Sequence, residues 1–132
     1  MKKDIVTRKD IELLVNEFYI KIIQDKKTGF IFTDIAGVNW QKHLPLMCDF
    51  FENMLFYTGS YRGNPMEVHQ HINRLVPLTA DHFEQWNQLF STTVDELFSG
   101  ATANLAKQRT KSISAVMQIK ILNEPSATDK IF

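Results

Sequence analysis

Apolar residues recur at helical spacing along most of the chain. From about residue 7 to residue 25, Ile11, Leu14, Val15, Phe18 and Ile22 share one face, with lysines and glutamates opposite and Tyr19 at the edge of the stripe. Thr7, followed three residues later by Asp10, is a start signal of the capping-box type, and Asp25-Lys26-Lys27-Thr28-Gly29 reads as a stop and turn. A second helix is predicted from about 40 to 57, opened by Asn39. Its inner face reads Trp40, His43 or Leu44, Met47, Phe50 or Phe51, and Met54 or Leu55. Pro45 lies inside it, where a missing N–H should bend the helix or delay its regular start. A third long helix begins at Thr79 as cap, carries Asp81 and His82 in its first turn, and runs through Phe83, Trp86, Phe90, Val94 and Phe98 to Ser99-Gly100. The last, from about 103 to 122, is predicted to bury Leu105, Ala106, Ile113, Val116, Met117 and Ile121. Pro125 closes it, and a frayed tail is expected from about 123.

Between the second and third helices lies Gly63-Asn64-Pro65-Met66-Glu67-Val68-His69. Asn64 is suited to cap a short helix, and Pro65 suits its first position, where a missing N–H costs nothing. His69 then follows about one turn on, so the helix aims its imidazole. An aimed imidazole is a good ligand for iron or zinc; taken alone, a surface histidine on a capped helix is the commoner case. No stretch alternates apolar and polar residues long enough to suggest a strand, and there are no repeats. The chain therefore reads as all-α, one domain over 1–132, with four substantial helices and short ones between them. The His69 region is too short and too punctuated to be a full bundle helix.

Composition narrows the function classes. A chain of 132 residues can bury roughly two thirds of its unfolded surface. Fifteen Lys+Arg balance fifteen Asp+Glu, leaving no basic field to hold nucleic acid or an anionic membrane. Cys48 is the only cysteine, which rules out an internal disulfide and a cysteine-based zinc cage. No window approaches the roughly 18 apolar residues that span a bilayer, and no signal core follows the basic N-terminus. A cytoplasmic location is the expectation. Ten phenylalanines, with three tyrosines and two tryptophans, exceed what a small helical core usually needs. A large flat apolar ligand would also want such rings around it, though composition does not choose between the two.

Few residues could carry chemistry. His69 and His71 stand two apart, so on a helix they point to different sides and cannot share one metal. The i, i+4 histidine pair of the zinc hydrolases is absent, as are the Glu-x-x-His pairs of di-iron bundles, a phosphate loop and a nucleophile elbow. His43 lies on the inward side of its helix, where a lone histidine is more often packed than ligating. Tyr19 and Trp86 each bring one donor to an apolar helix edge. Both could be core rings with local partners, or both could point into one shared pocket; periodicity does not separate these.

The order of the pieces is more specific than any one of them. Phe18-Tyr19, Phe32, the run from Trp40 through His43, Met47 and Cys48 to Phe50-Phe51, the run Tyr61-Arg62-Gly63-Asn64-Pro65-Met66-Glu67-Val68-His69, and His82-Phe83-Glu84-Gln85-Trp86 together closely resemble the group III truncated haemoglobins of bacteria. The resemblance runs from about Ile5 to Met117. It implies a shortened globin fold, helices layered two on two, around one haem b (iron protoporphyrin IX). By the resemblance, His69 matches the proximal histidine that ligates iron, Tyr19 the distal tyrosine, His43 the distal histidine, Trp86 the distal tryptophan, and Phe32 the phenylalanine that packs on haem. Met47, Phe51, Phe83, Trp86 and Met117 are expected to line the slot, and His71 and Arg74 are the basic groups near the propionates. Phe51 departs from the family, which commonly has tryptophan there; the change removes an N–H and keeps a large ring.

The implied function is binding of O2 and related diatomics (NO, CO) at histidine-ligated iron. NO dioxygenation or peroxide chemistry is permitted without being required, and either needs an external electron donor. The chain is expected as a monomer or homodimer. The alternative, from a different class, is a cofactor-free helical interaction or sensor domain whose aromatics are all core.

Overall fold

The structure is a computed structural model and describes residues 2–29, 40–57 and 78–122, with side chains as far as 119 in the last helix. The predicted Phe30-Ile31-Phe32 patch and the whole His69 helix lie outside the described residues. Among the described residues four helices carry the fold: α1 (Arg8–Gln24), α2 (Trp40–Phe56), α3 (Ala80–Leu97) and α4 (Ala101–Leu122). Helix α1 packs on both α2 and α3, α3 packs along α4, and α2 touches α4 more lightly, which makes one pair of helices laid upon another. No strand occurs among the described residues.

Local sequence explains where the helices start. Thr7 caps α1 as predicted: its side chain accepts from Asp10 N–H at 3.3 Å, while the Asp10 carboxylate accepts from Thr7 N–H at 3.0 Å. The same box starts α3, with Thr79 as cap; here a histidine fills the reciprocal position, and His82 Nδ1 accepts from Thr79 N–H at 3.0 Å. Helix α4 borrows its cap from far away. Asp4, in the N-terminal arm, accepts from the N–H groups of Thr102 (2.9 Å) and Ala103 (2.8 Å), placing a carboxylate at the positive end of the helix. Gly100 permits this approach, since its φ of +142° suits glycine and a Cβ there would stand 2.5 Å from the Asp4 carboxyl carbon.

Helix ends are tied with equal economy. The Asp25 carboxylate accepts from Lys27 and Thr28 N–H, and from Gln85 Nε2 of α3 at 2.8 Å. A Cβ on Gly29 would lie 2.3 Å from the Ile23 carbonyl oxygen, so the predicted stop requires glycine. At the end of α2, Tyr57 takes a left-handed φ of 57°. Arg109 of α4 lies over its ring, donates to its hydroxyl, and donates to the Met54 carbonyl. Pro45 is accommodated inside α2, which is continuous through it.

The core holds Ile5, Ile11, Leu14, Val15, Phe18, Ile22, Phe51, Phe90 and Val94, all at most 2 % exposed. Helix α4 matches its predicted face in part. Ala106 and Met117 are buried as predicted, and Leu105 and Ile113 are half-buried against the core, whereas Val116 is half exposed. Ala103, Thr110 and Ser114 complete the buried set, spaced by three and four residues as one face must be, and Val116 stands to its side. Small and hydroxylated side chains share the seam, which hydrophobicity alone does not identify. Ile121 falls among the side chains not described.

Asp10 couples this scaffold to pH. Burial pushes its pKa up, but Lys3 and the Val6 and Thr7 N–H groups outweigh burial and hold it at about 2, against an ordinary 3.8. The folded value lies below the unfolded one, so the contribution is complete above about pH 4 and is lost as pH falls toward 2. Because Lys3 is exposed, Asp10→Asn is expected to cost only about 1–2 kcal/mol at neutral pH. That cost should shrink below pH 4, as urea midpoints of the two proteins across pH would record.

Candidate functional site

Phe18 and Tyr19 are neighbours on α1 and point into two different groups of rings. Phe18 is fully buried and meets Trp86 (5.2 Å, 85°) and Phe90 (5.2 Å, 87°) edge-on. Phe90 in turn stacks on Trp86 (5.9 Å, 8°), one turn earlier on α3, and on Phe51 of α2 (5.3 Å, 12°). Edge-on and stacked pairs both suit the ring quadrupole. Rings from α1, α2 and α3 therefore interlock, and the Trp86 indole is held against this junction.

Tyr19 faces the other group. It is 6 % exposed, and its ring lies 5.1 Å from His43 at 80° and 5.4 Å from Trp40 at 60°. Trp40 and His43 also meet edge-on, at 5.5 Å and 80°. The three rings form a triangle across the α1–α2 contact. His43 is half-buried, with Nε2 out of solvent. A phenol, an imidazole and an indole thus gather on one side of Phe18, and a second indole, Trp86, touches Phe18 from α3.

The remaining predicted lining residues divide into two sets. Phe51 sits in the contiguous core, and Met47 is half-buried against it. Phe83 and Met117, each 7 % exposed, are buried but stand outside that contiguous cluster, as does Leu78. His69, Phe32, His71 and Arg74 lie outside the described residues. Among the described residues no group of three or more His, Cys, Asp or Glu side chains could hold a metal ion, and no helix is long and apolar enough to cross a membrane. Cys48 is buried, and its burial raises the thiol pKa. A separate open groove between α3 and α4, lined by Glu84, Asn87, Ser91, Asp95 and Lys111 among others, contains none of the predicted site residues.

Two features near the rings escaped sequence reasoning. Trp40 was placed only on an inner helix face; its position three residues before His43 was the signal that the two rings would meet. The second is the tie between Asp25 and Gln85. It fixes the end of α1 to α3 beside Trp86, and although burial works against it, the Gln85 and Thr28 hydrogen bonds hold the Asp25 pKa below the ordinary carboxylate value. Sixty residues separate these partners, so no local pattern announces them.

No family profile matches the chain. It is 29 % identical over 121 residues to the group 3 truncated hemoglobin of Campylobacter jejuni, covering 89 % of this chain and 93 % of that protein. The crystal structure of a group III truncated hemoglobin from the same organism superposes with a TM-score of 0.81 at 28 % identity, covering 92 % of this chain and 95 % of its counterpart. The four helices are those of the two-on-two truncated globin fold, and the family resemblance read from the sequence is borne out.

The ring junction generates a stability prediction. Phe90→Ala removes a fully buried ring that three other rings touch, and is expected to cost about 3–5 kcal/mol, against roughly 1–2 for Phe90→Leu. Denaturant titration of both variants measures it. A cost below about 1 kcal/mol for Phe90→Ala would show that the junction does not organise the core.

Proposed function

We propose that this chain, which belongs with the group III truncated haemoglobins, holds one haem b and binds O2 and related diatomic ligands at its iron. The family implies a haem cofactor, and the side chains present fit one. Tyr19 and His43 meet beside Phe18, Trp86 touches Phe18 from α3, and Phe83 and Met117 are buried away from the contiguous core. That placement of three polar-tipped rings from three helices around Phe18 is the observation that carries the reading.

In this reading His69 would ligate the haem iron and Phe32 would pack against the haem, as the resemblance implies. His71 and Arg74 would supply basic groups for its carboxylates, and Met47, Phe51, Phe83 and Met117 would supply apolar walls. Haem supplies the iron at which a diatomic gas binds. The chain's own part is to exclude water and to present hydrogen bonds. Tyr19 would donate its hydroxyl and Trp86 its indole N–H toward a bound ligand, with His43 nearer the pocket mouth. The core stack behind Trp86 and the Asp25–Gln85 tie hold the indole in place, so its donor is in position before the ligand arrives. NO dioxygenation or peroxide turnover fits the same site and would draw on an external electron donor, in a cytoplasmic protein acting as monomer or homodimer.

Purified protein should therefore be red, with a Soret band that moves when CO is added to the reduced form. His69→Ala is expected to abolish stable haem incorporation, or to leave haem that added imidazole restores. An unchanged spectrum in His69→Ala, together with haem loss in His71→Ala, would reassign the ligand. A colourless protein that takes up no added haem would favour a cofactor-free helical domain instead.

Hydrogen bonds to a ligand carrying charge are worth on the order of 1–3 kcal/mol each. Tyr19→Phe and Trp86→Phe should each raise the O2 dissociation rate by about tenfold, with little effect on CO, whose outer atom carries less charge. The two losses should not add, because both donors serve one ligand. Stopped-flow rates for the single and double variants decide it, and unchanged O2 rates in all three would mean that His43, or no side chain at all, governs the ligand.

A further inference from the structure

We propose that Trp40 is a positioning residue that holds the His43 imidazole edge-on to Tyr19 and so sets which distal side chain faces the ligand. The inference rests on the haem reading for its consequence, though the geometry behind it stands without haem. Trp40 opens α2, and His43 follows three residues later on the same face. Side chains on a helix lean toward its N-terminus, so His43 leans over the turn that Trp40 occupies. The indole stands 5.5 Å from the imidazole at 80°, and the phenol of Tyr19 closes the triangle at 5.1 Å and 5.4 Å.

A closed triangle of edge-to-face contacts constrains more than a pair does. If His43 rotates away from Tyr19 it also changes its contact with Trp40, and the indole obstructs the N-terminal side of its arc. Trp40 is itself only half-buried, yet it packs against the core, so it can brace His43 without being part of the ligand pocket. A leucine at 40 would keep apolar bulk and lose the ring quadrupole; a phenylalanine would keep both the ring and its edge-to-face geometry. The proposal therefore requires Phe and Leu to behave differently.

Two measurements test it, one with haem and one without. In the reduced CO complex, the wild-type protein should show one dominant C–O stretching band. Trp40→Leu should add a second, with the ratio of the two shifted about two- to tenfold, the loss expected for one aromatic contact. The second band should vanish in Trp40→Leu/His43→Leu, and Trp40→Phe should restore the single band. In haem-free protein with 13C-labelled histidine, the wild type should show one set of His43 ring resonances with NOEs to Trp40 and Tyr19, and Trp40→Leu should show averaging or a second set.

Identical bands and resonances in wild type and Trp40→Leu overturn the proposal, and so does a Trp40→Phe variant indistinguishable from Trp40→Leu. Should Trp40→Leu fail to fold, the wild-type spectrum still decides, because several His43 ring conformers there would contradict a brace. Failure of the wild-type protein to take up haem would defeat the proposed function and leave the haem-free arm to judge Trp40.

Discussion

Phe18 meets rings from its own helix and from α3, and its place in the core fixes how those helices lie. With no exposed surface and edge-on contacts to Trp86 and Phe90, it can shift only if both move. Phe90 then transmits the constraint to α2 through its stack on Phe51. Interiors packed to this density resist small displacements, since a gap of a fraction of an ångström already forfeits contact energy. The polar-tipped rings beside Phe18 profit from this rigidity. Tyr19 is the next residue after Phe18, and Trp86 is stacked on Phe90, so two donors on different helices are referred to one hard point.

Around this apolar centre the helix ends are closed by carboxylates. Asp10 caps its own helix, Asp25 ties α1 to α3, and Asp4 caps α4 from the other end of the sequence. In each case burial of the acid alone would raise its pKa, and the hydrogen bonds it accepts reverse the sign. The Asp4 contact also pins the N-terminal arm, for Ser99 N–H donates to the Lys3 carbonyl at 2.9 Å and Ile5 is almost fully buried. A two-on-two arrangement has few layers with which to bury surface. Stitching of this kind fixes the helix termini through contacts between segments distant in sequence.

Legibility followed sequence distance. The box at Thr7 could be read because its partners lie three residues apart, and Thr79 could be read as a cap, whereas His82 as its reciprocal group has no such signature: Glu or Gln usually fills that place. The α1 stripe was legible because its apolar residues are also its buried ones. On α4 the two diverged. Thr110 and Ser114 are buried where a hydrophobicity pattern looks for larger apolar groups, and Val116 is left outside. Contacts such as Asp4–Ala103 and Asp25–Gln85 had no local signature. Tyr19, His43 and Trp86 stood out by residue type, but only the resemblance assigned them roles, because periodicity could not tell a core ring from a pocket ring. His69, Phe32, His71 and Arg74, on which haem attachment would rest, are known from the sequence pattern alone.

The three polar-tipped rings differ in how firmly they are held, and that difference has a physical origin. Trp86 lies within the α3 stack, behind which stand Phe90 and Phe51, so displacing it disturbs the core. Tyr19 is only 6 % exposed and flanked by Phe18, Trp40 and His43, so its ring has little room to turn. His43 is only half-buried, at the first turns of a helix that contains Pro45. That proline lacks the N–H that would bond back to Gln41, so the opening turns of α2 have one hydrogen bond fewer than a regular helix. His43 thus sits on a stretch of α2 that lacks one backbone hydrogen bond. Side-chain packing against Trp40 and Tyr19, more than the helix itself, determines how far it can move.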